Sequence, residues 1–514
     1  LSFTLHILQQ AAMVVWGGLR PILGQVVIDT LSLLGFSIAV YSHDRKFSAA
    51  CLLTTGLFTI VTSGNLTNRW TVIFPMIPIM ILQLLRQLTS NKIIHRIIVI
   101  LSSLFIVLAG LLSILFPAVE LPPLRNAPYN VGMVDVFLPI SFEHPTTTDH
   151  VEDVCPRGQD HVSVRFYYPT LEKSGWIPYL RHELSDVFCE ETMIAGAPDP
   201  LKGFGWMLHT WKLTQIKAKK HAEPLQQDGA GLPIIVYSHG LGGNVDLYAY
   251  QTMALAAHGY LVVVIDHTDG SASVAPRKDG VALRRNDSHV AVHEMEGRIE
   301  LFRRHRRVMT EYRSEEFLAA VRATIALNEN NIEELEQYRV SFVGKLNVNK
   351  VHYMGHSFGG ATSLHAARKR PPTSIIAHEP AVEWIPDGTR ASLFDQKRLA
   401  GSQGNFTYWQ VNANDDLSTS IHDIEMLILY SSEWALKKWG GVDVLSDMYA
   451  RGQFGPPHGS SRVAVIDGAH HNEFSDTCLL TPVWLARATG ITGKRNPIDT
   501  AEEIHAYTIS FLKK

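Results

Sequence analysis

The stretch Val351-His-Tyr-Met-Gly355-His-Ser357-Phe-Gly359-Gly-Ala361 constrains this chain more than any other. A short apolar run stops at Gly-x-Ser-x-Gly, and a helix-compatible run from Ala361 to Lys369 comes at once. That order predicts a strand, a sharp turn and a helix, with a serine hydroxyl lifted clear of a sheet. The flanking glycines fit the chemistry, because the strained serine backbone leaves no room for neighbouring side chains. The helix N-terminus beyond them favours developing negative charge. A glycine-containing turn is the plain alternative, but ordinary Gly and Ser frequencies give only about 0.1–0.2 chance matches in a chain this long. Ser357 therefore reads as a nucleophile.

Composition narrows the rest. A net charge of −3 over 514 residues excludes the basic field of a nucleic-acid binder. Four cysteines (Cys51, Cys155, Cys189 and Cys478) make no disulfide scaffold, and no C-x-x-C or His/Cys cluster has zinc spacing. Neither metal nor cofactor is expected. Triplets opening at Asn65, Asn286 and Asn405 match the N-glycosylation pattern and permit a luminal location. The chain begins with Leu, so it is expected to lack its natural start.

The first 117 residues differ sharply from the remainder of the chain. Gly24–Tyr41 is an apolar run interrupted by Asp29, Phe47–Gly64 is a second, and Trp70–Leu85 is a third, broken by Pro75 and Pro78. Ile97–Phe116 is the strongest. Its about 20 uncharged residues, at about 1.5 Å each, match the thickness of a hydrocarbon core. Buried core helices are the alternative for the shorter runs, and His6, Gln9 and Gln10 weaken a further span over Leu1–Leu19. The expectation is a bundle of about four transmembrane helices over 1–117, a linker and domain entry over 118–160, and a catalytic domain over 161–514. Arg45, Lys46, Arg86, Lys92 and Arg96 outnumber Arg20, Arg69 and Arg125 on the opposite side. The excess puts the loops after the first and third spans in the cytoplasm and the C-terminal domain in a lumen or outside.

Beyond the Pro-rich stretch 117–123, short Val/Ile-rich runs alternate with helical patterns. Strands are expected at Val162–Tyr168 (ended by Pro169), Ile234–Tyr237, Tyr260–Ile265, Val351–Met354, Ser374–Ala377, Phe406–Val411 and Val463–Ile466. Helices are expected at Leu247–His258 and Glu315–Glu336. Such alternation predicts an α/β-hydrolase with a mostly parallel central sheet. The charge-dense stretch Arg284–Arg313 reads as a solvated helix face or surface insertion.

A serine hydroxyl needs a general base, itself oriented by a carboxylate, and in this fold the chain order is Ser, acid, His. Downstream histidines are His378, His422, His458, His470 and His471. His470 and His471 come after the last strand and a Gly468 turn, where a loop can swing an imidazole over Ser357. The acid must end a strand between the two, which leaves Glu379, Asp415 and Asp416 open. An oxyanion hole needs two backbone N–H groups. One belongs to Phe358, and the other to the loop Ser238-His-Gly240-Leu241-Gly242-Gly243 after an earlier strand.

At these residues the chain resembles the plasma-type platelet-activating factor acetylhydrolase family, the lipoprotein-associated phospholipases. Ala127-Pro-Tyr-Asn-Val-Gly132 with Asp135, Val164-Arg-Phe-Tyr-Tyr-Pro169 and Trp176-Ile-Pro178 are similar to the opening of its catalytic domain. Ser238-His-Gly-Leu-Gly242, Asp266-His-Thr-Asp-Gly-Ser-Ala-Ser273 and Gly355-His-Ser-Phe-Gly-Gly-Ala-Thr362 are similar to its loop, middle and nucleophile motifs. His471-x-x-Phe474-x-Asp476 fits its histidine pattern and favours His471 over His470. The family's acid is an Asp after Ile-Ala-Leu, whereas Ile376-Ala-His-Glu379 has Glu in that place. The resemblance implies a calcium-independent serine esterase acting on the sn-2 acyl group of phospholipids, with Ser357, His471 and Glu379 catalytic and Leu241 and Phe358 holding the oxyanion. The phospholipid substrate is the expected partner, with no obligate protein partner. Familiar members are secreted or lipid-modified, so the apolar N-terminal region is a departure. Another membrane-held hydrolase, of neutral lipids or peptide bonds, and a non-catalytic binding module are the alternatives.

Overall fold

The computed structural model describes residues 21–42, 44–63, 69–116, 119, 121–141, 160–196, 202–227, 229, 231–286, 299–394 and 421–513. Its chain divides into two compact units, one of residues 1–121 with 178–216, the other of residues 122–177 with 217–514.

Four helices open the first unit: α1 (Pro21–Tyr41), α2 (Arg45–Ser63), α3 (Trp70–Leu88) and α4 (Lys92–Leu115). They fall where the apolar runs predicted helices. Pro75 and Pro78 were expected to break the third run, yet α3 runs through both. Asn91 caps α4, its Oδ1 accepting the N–H of Ile93 at 2.8 Å. The Asp29 that interrupts the first apolar run forms a buried ion pair with Arg69, tying α1 to the start of α3. Leu84, Leu104 and Ile114 are among many large apolar side chains that face outward from these helices. Among the described residues, α3 and α4 are long and apolar enough to cross a membrane, and Val27–Tyr41 within α1 is a further apolar stretch. The expectation of about four spans therefore exceeds what length and composition support among the described residues. In the same unit lies the segment 178–216, with a short helix α5 (Ser185–Gly196). The Trp70 indole N–H donates to the Met207 carbonyl at 3.1 Å, and Trp206 packs edge-on against Trp70.

Ten strands form one sheet, in the order β12-β11-β10-β9-β5-β6-β2-β1-β4-β3. They are β1 (Asn130–Pro139), β2 (His161–Thr170), β3 (Gly175–Pro178), β4 (Gln215–Lys220), β5 (Leu232–Ser238), β6 (Leu261–Ile265), β9 (Leu346–His356), β10 (Ser374–His378), β11 (Glu425–Ser431) and β12 (Arg462–Ile466). A separate hairpin holds β7 (Val274–Pro276) and β8 (Ala282–Arg284). From β6 through β12 the large sheet is parallel, and β2 runs antiparallel to both β1 and β6. β6 and β10 are buried at every position, as expected of strands covered on both faces.

Several boundaries differ from those expected. Pro169 does not end β2, which continues to Thr170, and the Pro169 carbonyl accepts the Leu225 N–H at 2.8 Å. The run expected as a helix over Glu315–Glu336 belongs to a longer helix α7, Ile299–Ala326. It stops at Leu327–Asn330, where successive N–H groups fold back onto Ala323, Ile325 and Ala326, and Asn328 Oδ1 takes the Leu346 N–H. A separate turn of helix covers Glu333–Gln337. β11 was not anticipated, although Met426–Tyr430 is a continuous apolar run. The strand expected at Phe406–Val411 lies outside the described residues. The charge-dense stretch is not simply a solvated face either, because Arg306 and Arg313 on α7 are buried. Remaining helices that bear on the site are α6 (Ala249–Ala257) and α8 (Phe358–Lys369).

Candidate active site

Ser357 stands between the end of β9 and the first residue of α8, at φ 57° and ψ −116°. That backbone conformation is sparsely populated for a non-glycine residue and persists only where the surroundings hold it. Its N–H donates to the His378 carbonyl at 2.8 Å, and its carbonyl accepts the Ala381 N–H at 3.1 Å. A Cβ on Gly359 would overlap the Ser238 carbonyl oxygen. The second glycine of Gly-x-Ser-x-Gly is thus required by the approach of β5.

Glu379 comes directly after β10, also at positive φ, and is fully buried. One carboxylate oxygen accepts the Ser431 N–H at the end of β11 at 2.6 Å. The other forms a short hydrogen bond with His471 Nδ1. His471 begins a helical turn after β12 and is 27% exposed. Its N–H donates to Glu433 at 3.0 Å, and its ring lies flat on Trp434, with centroids 4.7 Å apart and planes 6° from parallel. His356 covers the ring from another side, at 4.6 Å between centroids. His470, the alternative, turns its Nδ1 to the Gly490 carbonyl. Asp415 and Asp416 lie outside the described residues. Among the predicted bases and acids, then, Glu379 and His471 are brought together next to the residue preceding Ser357.

The loop after β5 reaches the same place. A Cβ built on Gly240 would sit 3.3 Å from the Ser357 Cβ. Gly240 donates its N–H to Tyr248 Oη at 2.9 Å, and Gly242 donates to the Ser271 carbonyl at 2.7 Å. Among the described residues the N–H groups of Leu241 and Phe358 enter no such backbone bond. Burial, with the neighbouring His471 and His378, holds His356 well below the usual imidazole range, and burial brings His378 down to about 3. Both rings are therefore held neutral beside His471. His356 Nδ1 lies 3.1 Å from Tyr248 Oη.

His356, Glu379 and His471 together offer three possible ligand atoms within 4.8 Å of one another. Two of these residues, Glu379 and His471, already bond to each other. Several residues that shape the site carry no mark in the sequence. Trp434, Tyr248 and Ser431 act through the position of a ring face, a hydroxyl or an N–H, and no local pattern points to them.

The sheet order, the strained serine after β9 and the Glu–His pair beyond it define an α/β-hydrolase. The family model for platelet-activating factor acetylhydrolase, isoform II, matches residues 115–514, and the chain belongs to that family. It is a carboxylic ester hydrolase. Platelet-activating factor acetylhydrolase of Cavia porcellus is 22% identical over 405 residues, covering 76% of this chain and 77% of the relative. The protein of the same name from Canis lupus familiaris is 32% identical over 255 residues, 48% of this chain and 51% of the relative. Among solved structures, a ferulic acid esterase from Streptomyces cinnamoneus aligns with a TM-score of 0.48 at 14% identity, covering 77% of this chain and 92% of that one.

Proposed function

We propose that this chain is a membrane-held, calcium-independent serine esterase that removes a short or oxidised acyl group from the sn-2 position of a phospholipid such as platelet-activating factor. The single observation that carries the reading is the Glu379–His471 hydrogen bond formed beside the Ser357 elbow. Glu379 accepts from Nδ1–H and so keeps Nε2 unprotonated, the tautomer a general base needs. His471 takes the Ser357 proton as Oγ attacks the sn-2 carbonyl. The carbonyl oxygen becomes an anion held by the Leu241 and Phe358 N–H groups. As that intermediate collapses, His471 gives the proton to the departing alkoxide of the lyso-phospholipid. Water, deprotonated by the same imidazole, then clears the acyl group from Ser357. Burial of Glu379 and the flat contact of Trp434 hold the imidazole in one orientation through both halves.

The names of the relatives support an acetylated phospholipid as substrate. The apolar helices support a location in a bilayer, where the local concentration of lipid substrate is high. The excess of basic residues around the loop between α3 and α4 supports a catalytic unit on the luminal or extracellular side.

The test uses the full chain purified in detergent. A fluorophosphonate probe should label the wild type at Ser357, and Ser357→Ala should lose both labelling and turnover of a 2-acetyl phospholipid. Turnover should be faster on that substrate than on a long-chain diacyl phospholipid, a triacylglycerol or a peptide amide. Retained ester hydrolysis in Ser357→Ala would sink the mechanism, and preference for triacylglycerol would sink the substrate assignment.

A further inference from the structure

Helix α7 carries a fully buried arginine into the back of the site. Arg313 lies at 0% exposure, with its guanidinium 4.4 Å above the centroid of the Phe358 ring. Nη2 donates to the His239 carbonyl at 2.5 Å and to Ser238 Oγ at 3.0 Å, and Nη1 donates to Ser271 Oγ at 3.0 Å. One planar group therefore joins the exit of β5, the 266–273 loop and the first residue of α8. These are the segments that flank Leu241 and Phe358.

We propose that Arg313 is the positioning residue of the oxyanion hole, holding the Leu241 and Phe358 N–H groups at a common separation and aim. The proposal rests on the reading of Ser357 as nucleophile with those two donors. Leu241 is bracketed by groups that are already fixed. Gly240 N–H is on Tyr248 Oη, and Gly242 N–H is on the carbonyl of Ser271, the residue whose hydroxyl Arg313 holds. The His239 carbonyl, just before this bracket, has its direction set by Nη2. The Phe358 ring, whose backbone N–H is the second donor, is held from above by the same guanidinium.

The anchors are themselves locked. Ser238 Oγ lies 2.7 Å from His267 Nε2, and His267 Nδ1 lies 2.6 Å from Glu316 on α7. The Glu316 carboxyl also takes the Thr268 hydroxyl at 2.7 Å. Asp269, whose carboxylate accepts both the N–H and the hydroxyl of Ser271, supplies a counter-charge to the guanidinium. Burial brings Arg313 down to about 10, so it remains charged at neutral pH. Arginine suits this place because a rigid fork reaches three acceptors at once and its flat face stacks on a ring. A lysine can hold one carbonyl but cannot reproduce the fork or the stack.

The test compares wild type, Arg313→Lys, Arg313→Met and Ser357→Ala as full chains in detergent. Readouts are kcat and KM on a short-chain p-nitrophenyl ester, and affinities for two inhibitors. One is a trifluoromethyl ketone, which forms a tetrahedral oxyanion on the serine. The other is a non-hydrolysable ether phospholipid that mimics the bound substrate. Arg313→Met should lower kcat by about 10²–10³-fold, comparable with loss of one oxyanion donor. KM should move by less than about threefold, as for an interaction made only in the transition state. Ketone affinity should fall in step with kcat/KM while ether affinity holds, and Arg313→Lys should lie between. An unchanged kcat and ketone affinity in either variant overturns the proposal. So does equal weakening of ketone and ether, which would mark a general structural role. If Arg313→Met fails to fold, Arg313→Lys with a wild-type melting temperature carries the comparison. Activity retained in Ser357→Ala would instead overturn the reading beneath it.

Discussion

Glu379 shows how much a single residue depends on its setting. Its carboxylate is one methylene longer than the aspartate that the family resemblance anticipates, yet one oxygen is fixed by the Ser431 N–H and the other meets His471. Positive φ at Glu379 directs the chain into this bridge. Glu379→Gln should leave the fold intact but lower kcat by roughly 10³–10⁴-fold, since an amide N–H facing Nδ1 forces the wrong imidazole tautomer. Steady-state kinetics on the purified variant check this, and a loss smaller than about tenfold would give the acid's role to another residue. Ser357 and the Leu241 loop are legible in the sequence because each is a contiguous motif whose glycines serve local backbone geometry. The choice among Glu379, Asp415 and Asp416 is not legible from position alone, because the acid is defined by convergence with a histidine far away in sequence. Arg313 is hidden for a related reason. A run of arginines looks solvated until the chain brings acceptors to one of them.

At the scale of elements, the elbow is built by three neighbours that touch at backbone level. β9 delivers Ser357, β5 presses against Gly359, and β10 returns the His378 carbonyl to the Ser357 N–H. β5 lies inside the sheet between β6 and β9 and cannot move aside. Gly359→Ala should accordingly destabilise the chain by at least ~1–3 kcal/mol, the cost of overpacking against a backbone that cannot yield. A shift of the chemical denaturation midpoint measures it, and an unchanged midpoint would mean that β5 has more freedom than its packing implies. Strands buried on both faces announce themselves as short Val/Ile runs. β11 has the same character yet is not singled out by it, since such runs carry no periodicity to separate strand from helix. The bounds of α7 differ from the expected ones at both ends, and just past its end the Asn328 side chain accepts the N–H of Leu346, the first residue of β9.

At the scale of the whole molecule, a helical unit with many outward-facing apolar side chains and an α/β-hydrolase unit share one chain. The full chain should remain in the membrane fraction through an alkaline carbonate wash and leave it only with detergent. Release by carbonate alone would show that α3 and α4 do not span the bilayer. The amino-acid sequence by itself determined the glycine-flanked serine turn, the glycine-rich loop after β5, the mostly parallel sheet and the apolar character of the first 117 residues. Each is encoded in residues that are neighbours along the chain, through glycine at strained backbone, hydrophobic periodicity or the length of an uncharged run. The tertiary structure alone decided how Glu379 and His471 meet, which carbonyl takes His470, and that Arg313 is buried against Phe358. Those contacts join residues that are distant in sequence. Their energies come from burial and hydrogen bonding, and these exist only once the sheet has assembled.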